Sequence, residues 1–351
     1  MNISLEKLQV ERLNRGNPIL TAVPDHPWEK EVVFNPGCVF LDDKYKIHEA
    51  ESTLALTEDV RAKIADLEGV CVMIYRAQGR ITPDEDYRHS SLGLALLSPT
   101  LDLIYRHPVP IMVPDQNYDD LGVEDPRITE IDGKFVMFYA GYSSTPKSGR
   151  QGSGGNSINI CIATSDDLFT WEKKGKLKGT LNDVHNKNAM LFPQKLGGVY
   201  RIFHRPMEGA GAMAIHTAHA DSLLGEWIDD GVLMSAIEFP AFTKSWIGGG
   251  APPLQIDDRE YIALYHTGHF KPDGSREYDL GICKIRFDET PKVIERVERF
   301  MTPQSAFEVT ANESLGVSNV LFVCGSYIYN NYLYFPYAGA DSVVLAARIK
   351  I

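Results

Sequence analysis

Two carboxylates stand side by side in Gly122-Val123-Glu124-Asp125-Pro126-Arg127-Ile128, just ahead of an apolar run. Neighbouring side chains in an extended segment point opposite ways, so one acid is expected to face inward to a site and the other to lie against its own sheet. A carboxylic acid whose pKa is raised by apolar or like-charged surroundings can protonate the leaving oxygen of a glycosidic bond. Asp125 or Glu124 suits that task. The plainer alternative has Asp125-Pro126 capping a turn and Arg127 pairing with Glu124 as scaffold.

Basic residues recur at related places further on: Lys187, His204-Arg205 and His266. On a chain of formal charge −12, cations converging on one funnel select an anion. Arginine grips phosphate through two parallel hydrogen bonds, so the coincidence points to phosphate, although each residue alone is better explained by an ordinary ion pair or core position. His216 and His219, three apart in a strand-like run, project to opposite faces and make a poor metal pair; no metal is assigned.

These residues sit in a repeat. Apolar runs end on Tyr75, Tyr139, His204, Tyr265 and Tyr337, spaced by 64, 65, 61 and 72 residues. Each run follows a polar turn, at Glu68-Gly69, Asp132-Gly133, Gly197-Gly198, Asp257-Asp258 and Tyr329-Asn331, which is a hairpin signal. A second hairpin follows in most units, for about four strands per unit. Five such units imply an all-β chain and fit a five-bladed β-propeller, in which each blade buries its faces against its neighbours. Only two weak helical patterns occur, around residues 3–14 and 56–67, and neither recurs. Inner strands of a propeller begin around a shared funnel. Their expected starts are Asn35-Pro36-Gly37, Glu124-Asp125-Pro126-Arg127, Lys187-Asn188, Gly248 to Pro253 and Ser318-Asn319, a polar set abutting packed strands.

Composition narrows the partners. A chain of 351 residues with 44% hydrophobic content and no linker reads as one domain, 1–351, with a short N-terminal extension to about residue 30. The acidic balance argues against nucleic acid and anionic membranes as partners. No apolar leader or membrane-length stretch is present, so the chain reads as cytoplasmic. The five cysteines are scattered through apolar runs, as buried free thiols are. The Gly-rich stretch 148–156 reads as a mobile loop over one face. Leu5, Leu8 and Leu13 are available to pack on a neighbouring subunit of a homo-oligomer.

Val123 to Thr129, Leu191 to Lys195 with Arg201 to Pro206, Ile247 to Pro253, Tyr265-His266, and Ser318 to Val320 with Tyr337 to Asp341 together resemble glycoside hydrolase family 130. The resemblance runs over about residues 33–347. It implies a five-bladed propeller and inverting phosphorolysis of β-1,4- or β-1,2-linked mannosides to α-mannose 1-phosphate. Asp125 matches the general acid, Lys187, Arg205 and His266 match phosphate-holding positions, and Asn35, Arg76, Asn188 and Asp341 match positions lining the mannose subsite. Glu124 is taken with the substrate-binding set. Inorganic phosphate is then a co-substrate, a mannose-containing oligosaccharide the partner, and no further cofactor is implied. The chain departs from the family pattern at Trp246, where a basic residue is expected, and in His89-Ser90-Ser91, where arginine often precedes Gly93.

Two alternatives stay open on residues alone. A β-mannoside hydrolase would use water, with Glu313 or Glu238 as base. A noncatalytic sugar-binding propeller would use the aromatic run ends as platforms.

Overall fold

The computed structural model describes residues 3–80, 87–147, 155–311 and 315–351. Most of the loop at 148–156, and Glu313, lie outside the described residues.

The chain is nearly all β, and its strands pair antiparallel in chain order within five successive units. The first consists of Val32–Leu41, Val70–Gly79, His89–Leu97 and Leu103–Arg106. The second is Gly122–Ile131, Lys134–Ser143, Ser157–Ser165 and Glu172–Lys176, joined to the first by a single parallel bridge from Ser90 to Gly122. The third holds Asn186–Leu191, Tyr200–Pro206, Ile215–Ala220 and Glu226–Met234. Lys244–Gly249, Glu260–Phe270, Arg276–Phe287 and Pro291–Met301 make the fourth. Leu321–Val323, Tyr332–Gly339 and Val343–Lys350 make the fifth.

Turn chemistry follows the sequence in three units. Asp132-Gly133, Gly197-Gly198 and Asn330-Asn331 all have positive φ at both positions, the geometry that matches strand twist in a two-residue hairpin. The first unit differs. Glu68-Gly69 is no tight turn there, because helices Lys44–Thr53 and Glu58–Ala65 are inserted between its first two strands. Asp43 caps the first of these by accepting the backbone N–H groups of Tyr45 and Lys46.

The helical pattern at 56–67 therefore holds a helix, whereas 3–14 holds only the single 3₁₀ turn Leu5–Lys7. Val10–Arg12 instead forms the outermost strand of the fifth unit, Glu11 opposite Arg348. Unpaired edge groups of Val343–Lys350 offer ladder hydrogen bonds that outweigh a weak helical periodicity. Leu5 is fully buried in the chain's own core, with Leu8 packed on the same cluster and Leu13 on another. Leu5 is accordingly unavailable to a second subunit, while Leu8 and Leu13 are half-buried.

Burial explains the period. One apolar cluster joins the first and second units, and others join second to third, third to fourth, fourth to fifth, and fifth back to first. Each sheet covers a face of the next, so no unit is stable alone. First strands touch between units one and two, two and three, and three and four, and the first strand of the fifth touches that of the first. Tyr75, Tyr139, Tyr265 and Tyr337 sit in these clusters with at most 2% exposure, which removes them as sugar platforms. Among the described residues no helix is long and apolar enough to cross a membrane.

Candidate active site

The first strands share a local irregularity that builds the site. In the first three units the register slips by one residue, between Phe34 and Gly37, Glu124 and Arg127, and Lys187 and Met190. The residue after the last regular pair is Asn35, Asp125 or Asn188, with φ of 46°, 53° and 60°. Asn319 in the fifth unit has φ 59°. Left-handed backbone is costly for most side chains but tolerated by Asn and Asp, whose short polar groups bond locally. A bulge of this kind re-aims a side chain, which is why an Asn or Asp recurs at the repeat starts.

Asn35, Arg76, Asp125, Lys187, Arg205, His266 and Asp341 line one cavity. Arg76, Arg205 and His266 each directly follow the run-end residue of their unit, so second strands supply these three groups, while first strands supply Asp125 and Lys187. Asn35 Nδ2 donates to Asp125 Oδ1 at 2.7 Å, and Arg76 Nη1 approaches the same oxygen at 3.3 Å. Arg76 Nη2 also holds Glu124 Oε1 at 2.5 Å, with Ser90 Oγ donating to that oxygen at 3.2 Å. Both acids thus meet one guanidinium. Strict alternation would have separated them, and the bulge at Asp125 breaks that alternation.

Glu124 and Asn188 stand behind the cavity wall. Asn188 Nδ2 donates to His266 Nε2 at 3.3 Å while its Oδ1 accepts from Arg127 Nη2 at 3.4 Å. Arg127 is buried and does not pair with Glu124. Its guanidinium donates to the carbonyls of Gly250, Asp125 and Gly249 at 2.8, 3.0 and 3.1 Å, tying the second unit to the fourth through the acid's own backbone.

Electrostatics divide the groups. Burial alone would raise the Asp125 carboxyl, but Arg76, Lys187 and Arg127 outweigh it and hold the pKa below the usual value. Asp341 has no such surplus: burial lifts it to about 6 against the pull of Arg76, with Asp125 adding repulsion. Burial lowers Lys187, and Arg205 lowers it further. Arg205 is brought down to about 10 by burial, partly opposed by Tyr278. His266 is pushed well below the ordinary imidazole value by burial and by Arg205, so it enters the cavity neutral and not as the third cation expected from sequence. Arg205 Nε is buried without a hydrogen-bond partner, and Lys187 has no ion pair among the described residues. The cavity lining holds Arg76, Lys187, Arg205 and Arg276 against the carboxyls of Asp125 and Asp341, a cationic surplus that favours an anionic ligand.

Sequence reasoning did not find Arg276 and Tyr278, which line the same cavity, with Phe34, Val320 and Phe322 as its apolar floor. Arg276 is one strand across from Phe270 and carries no motif; only the register reveals it. Trp246, where a basic residue was expected, is buried between Phe270 and Tyr278 and is not part of the lining. Glu238 is exposed and outside the cavity.

A family model described as beta-1,4-mannooligosaccharide phosphorylase matches residues 66–351. The chain belongs to glycoside hydrolase family 130. Within the family it is 27% identical over 347 residues to the 1,2-beta-oligomannan phosphorylase of Thermoanaerobacter sp. (strain X514), covering 98% of each chain. It is 29% identical over 343 residues to the beta-1,2-mannobiose phosphorylase of the same organism, covering 97% of each. Its fold is like that of the beta-1,2-mannobiose phosphorylase from Listeria innocua, with a TM-score of 0.72 at 17% identity over 97% of both chains.

Proposed function

We propose that this chain is an inverting phosphorylase whose substrates are β-1,2-linked manno-oligosaccharides and whose co-substrate is inorganic phosphate. The observation that carries the reading is one cavity in which Asp125 faces Lys187 and Arg205, an acid and two unpaired cations from successive units. Family membership supports the same chemistry, and the names of two full-length relatives favour the 1,2 linkage.

In this reading the fold is a single five-bladed propeller, with the funnel at the meeting of its first strands. Asp125 protonates the glycosidic oxygen. Phosphate, held by Lys187 and Arg205 with neutral His266 as a hydrogen-bonding neighbour, attacks the anomeric carbon from the opposite face and gives α-mannose 1-phosphate. Phosphate arrives anionic and needs positioning, not deprotonation, so no second carboxylate base is required. Asn35, Arg76 and Asp341 hold mannose hydroxyls, with Glu124 and Asn188 fixing Arg76 and His266 from behind.

The test is incubation with β-1,2- and β-1,4-mannobiose, each with and without phosphate, assayed for mannose 1-phosphate. Phosphate-dependent release from the 1,2-linked disaccharide is expected. Free mannose formed at the same rate without phosphate would establish a hydrolase instead.

A further inference from the structure

Four units place a tyrosine at the end of the second-strand run, and three of those hydroxyls donate to a fully buried carboxylate. Tyr75 meets Glu29 at 2.7 Å, Tyr139 meets Asp119 at 3.0 Å, and Tyr337 meets Glu308 at 2.7 Å. A permanent cation holds each acid from another side: Arg106, Lys173 and Arg12 respectively. The third unit breaks this pattern. His204 stands where the tyrosine would be, its strand partner His216 lies directly opposite, and both rings converge on Asp229 from the next strand. Hydroxyl and cation are thus both replaced by imidazoles, which turns a carboxylate–cation pair into a donor set of two nitrogens and one carboxylate.

We propose that His204, His216 and Asp229 bind a divalent transition-metal cation of the zinc class. His216 Nδ1 lies 3.1 and 3.2 Å from the two carboxylate oxygens, and His204 Nε2 lies 3.5 Å from Asp229 Oδ1. All three ligand atoms fall within 4.8 Å of one another. A tetrahedral site with bonds of about 2.0–2.2 Å has edges of about 3.3–3.6 Å, which the carboxylate-to-imidazole separations already match, while the two imidazole nitrogens close on the ion from a separation of at most 4.8 Å. His204 Nε2 is buried and lacks a hydrogen-bond partner, which is the independent sign of a missing ligand.

The surrounding bonds suit ligation. His216 Nε2 donates to the Gly211 carbonyl at 2.9 Å, fixing the tautomer that presents Nδ1 to the centre. Asp229 Oδ1 is aimed by the Gly231 N–H at 2.8 Å. The Asp229 side chain is 37% exposed, leaving an entry path and room for a water as fourth ligand. His219, by contrast, turns to Asp230 on the other face, as its spacing from His216 requires. The sequence conceals the site because its second histidine lies across the sheet and not along the strand. His204 immediately precedes Arg205, so the ion would brace the strand that carries a cavity cation without entering the cavity.

The test uses the full chain, titrated with Zn²⁺ against a chromophoric chelator and with Co²⁺ by visible absorption. One equivalent is expected, with the intense ligand-field bands of tetrahedral cobalt and a raised thermal midpoint. Asp229→Asn, at a half-exposed position that leaves the fold intact, is expected to weaken binding about tenfold or more. The double substitution His204→Gln, His216→Gln is expected to abolish it. Wild-type affinity equal to that of Asp229→Asn would overturn the proposal, leaving the three groups to share a proton. A thiolate charge-transfer band would overturn it equally, by putting the ion on the cysteines.

Discussion

Asn35 and Asp125 occupy matching bulges of successive sheets, at φ 46° and 53°, and Asn35 Nδ2 donates to Asp125 Oδ1 at 2.7 Å. The acid of one sheet is therefore oriented by the bulge of its neighbour. Because the hydrogen bond crosses between units, relative placement of two sheets sets the aim of the carboxyl. A left-handed residue at each position keeps both side chains off the ladder and turned toward the cavity.

Replacing Asp125 with Asn preserves shape and the positive φ while removing the transferable proton. Loss of general acid catalysis is worth on the order of 10²–10⁴ in rate. Release of mannose 1-phosphate should fall by that factor, with the circular-dichroism spectrum unchanged. A drop smaller than about tenfold would remove Asp125 from the proton-transfer role.

The same carboxyl is held low by Arg76, Lys187 and Arg127, which is the wrong state for an acid until those charges are offset. A bound phosphate between Lys187 and Arg205 offsets them, so the pKa of Asp125 should rise when phosphate binds. The expected sign is an upward move of the carboxyl titration in the infrared difference between wild type and Asp125→Asn on adding phosphate. No movement, or a downward one, would show that phosphate does not bind beside this acid.

Among the described residues neither Arg205 nor Lys187 makes a salt bridge, although both feel the Asp125 carboxyl, so removing either charge should spare the fold and strike the anion. A charge-assisted hydrogen bond contributes about 1.5–3 kcal/mol. Arg205→Gln and Lys187→Ala should therefore each raise KM for phosphate about ten- to hundredfold, with a much smaller effect on KM for the mannoside. Equal effects on both would assign these residues to general positioning.

Much of this arrangement is written locally. Turn pairs such as Asp132-Gly133 and Asn330-Asn331, and the run-end aromatics, mark the strand order because a short-range backbone demand selects each residue. The polar starts at Asn35, Asp125 and Asn188 are legible for the same reason. Arg276 and Tyr278 reach the cavity only through register with Glu260–Phe270, and Arg127 reaches Gly249 and Gly250 two units away. Such contacts depend on how sheets stack, which no spacing along the chain encodes. The neutral state of His266 likewise follows from burial beside Arg205, and the strand at Val10–Arg12 from an open edge more than three hundred residues later.

Arg127→Met tests the longest of those contacts. The guanidinium is buried and donates to three carbonyls, so its loss strands those acceptors. Leaving a buried acceptor unpaired costs about 1–3 kcal/mol. Urea denaturation should show a loss of that order, with activity falling because the Asp125 backbone is released. Unchanged stability would mean that Gly249, Gly250 and Asp125 find other donors.

Asp341 gives the opposite sign. Its carboxyl titrates at about 6 in the folded chain against an ordinary value of 3.8, so the native state binds more protons than the unfolded one between those limits. Stability contributed by this group is present below about pH 4, declines as pH rises through 6, and is absent above. Asn at this position carries no charge and tolerates the φ of 47° that the backbone requires. Asp341→Asn should therefore be more stable than wild type at pH 7, by about 1–3 kcal/mol, and equal to it near pH 4. Activity should fall in the same variant, since the charged carboxylate acceptor is replaced by an amide with one accepting oxygen and a donor in place of the other. Thermal midpoints of both proteins across pH 4 to 8 decide it: a gap that fails to close on acidification would show that the raised carboxyl is not what limits stability there.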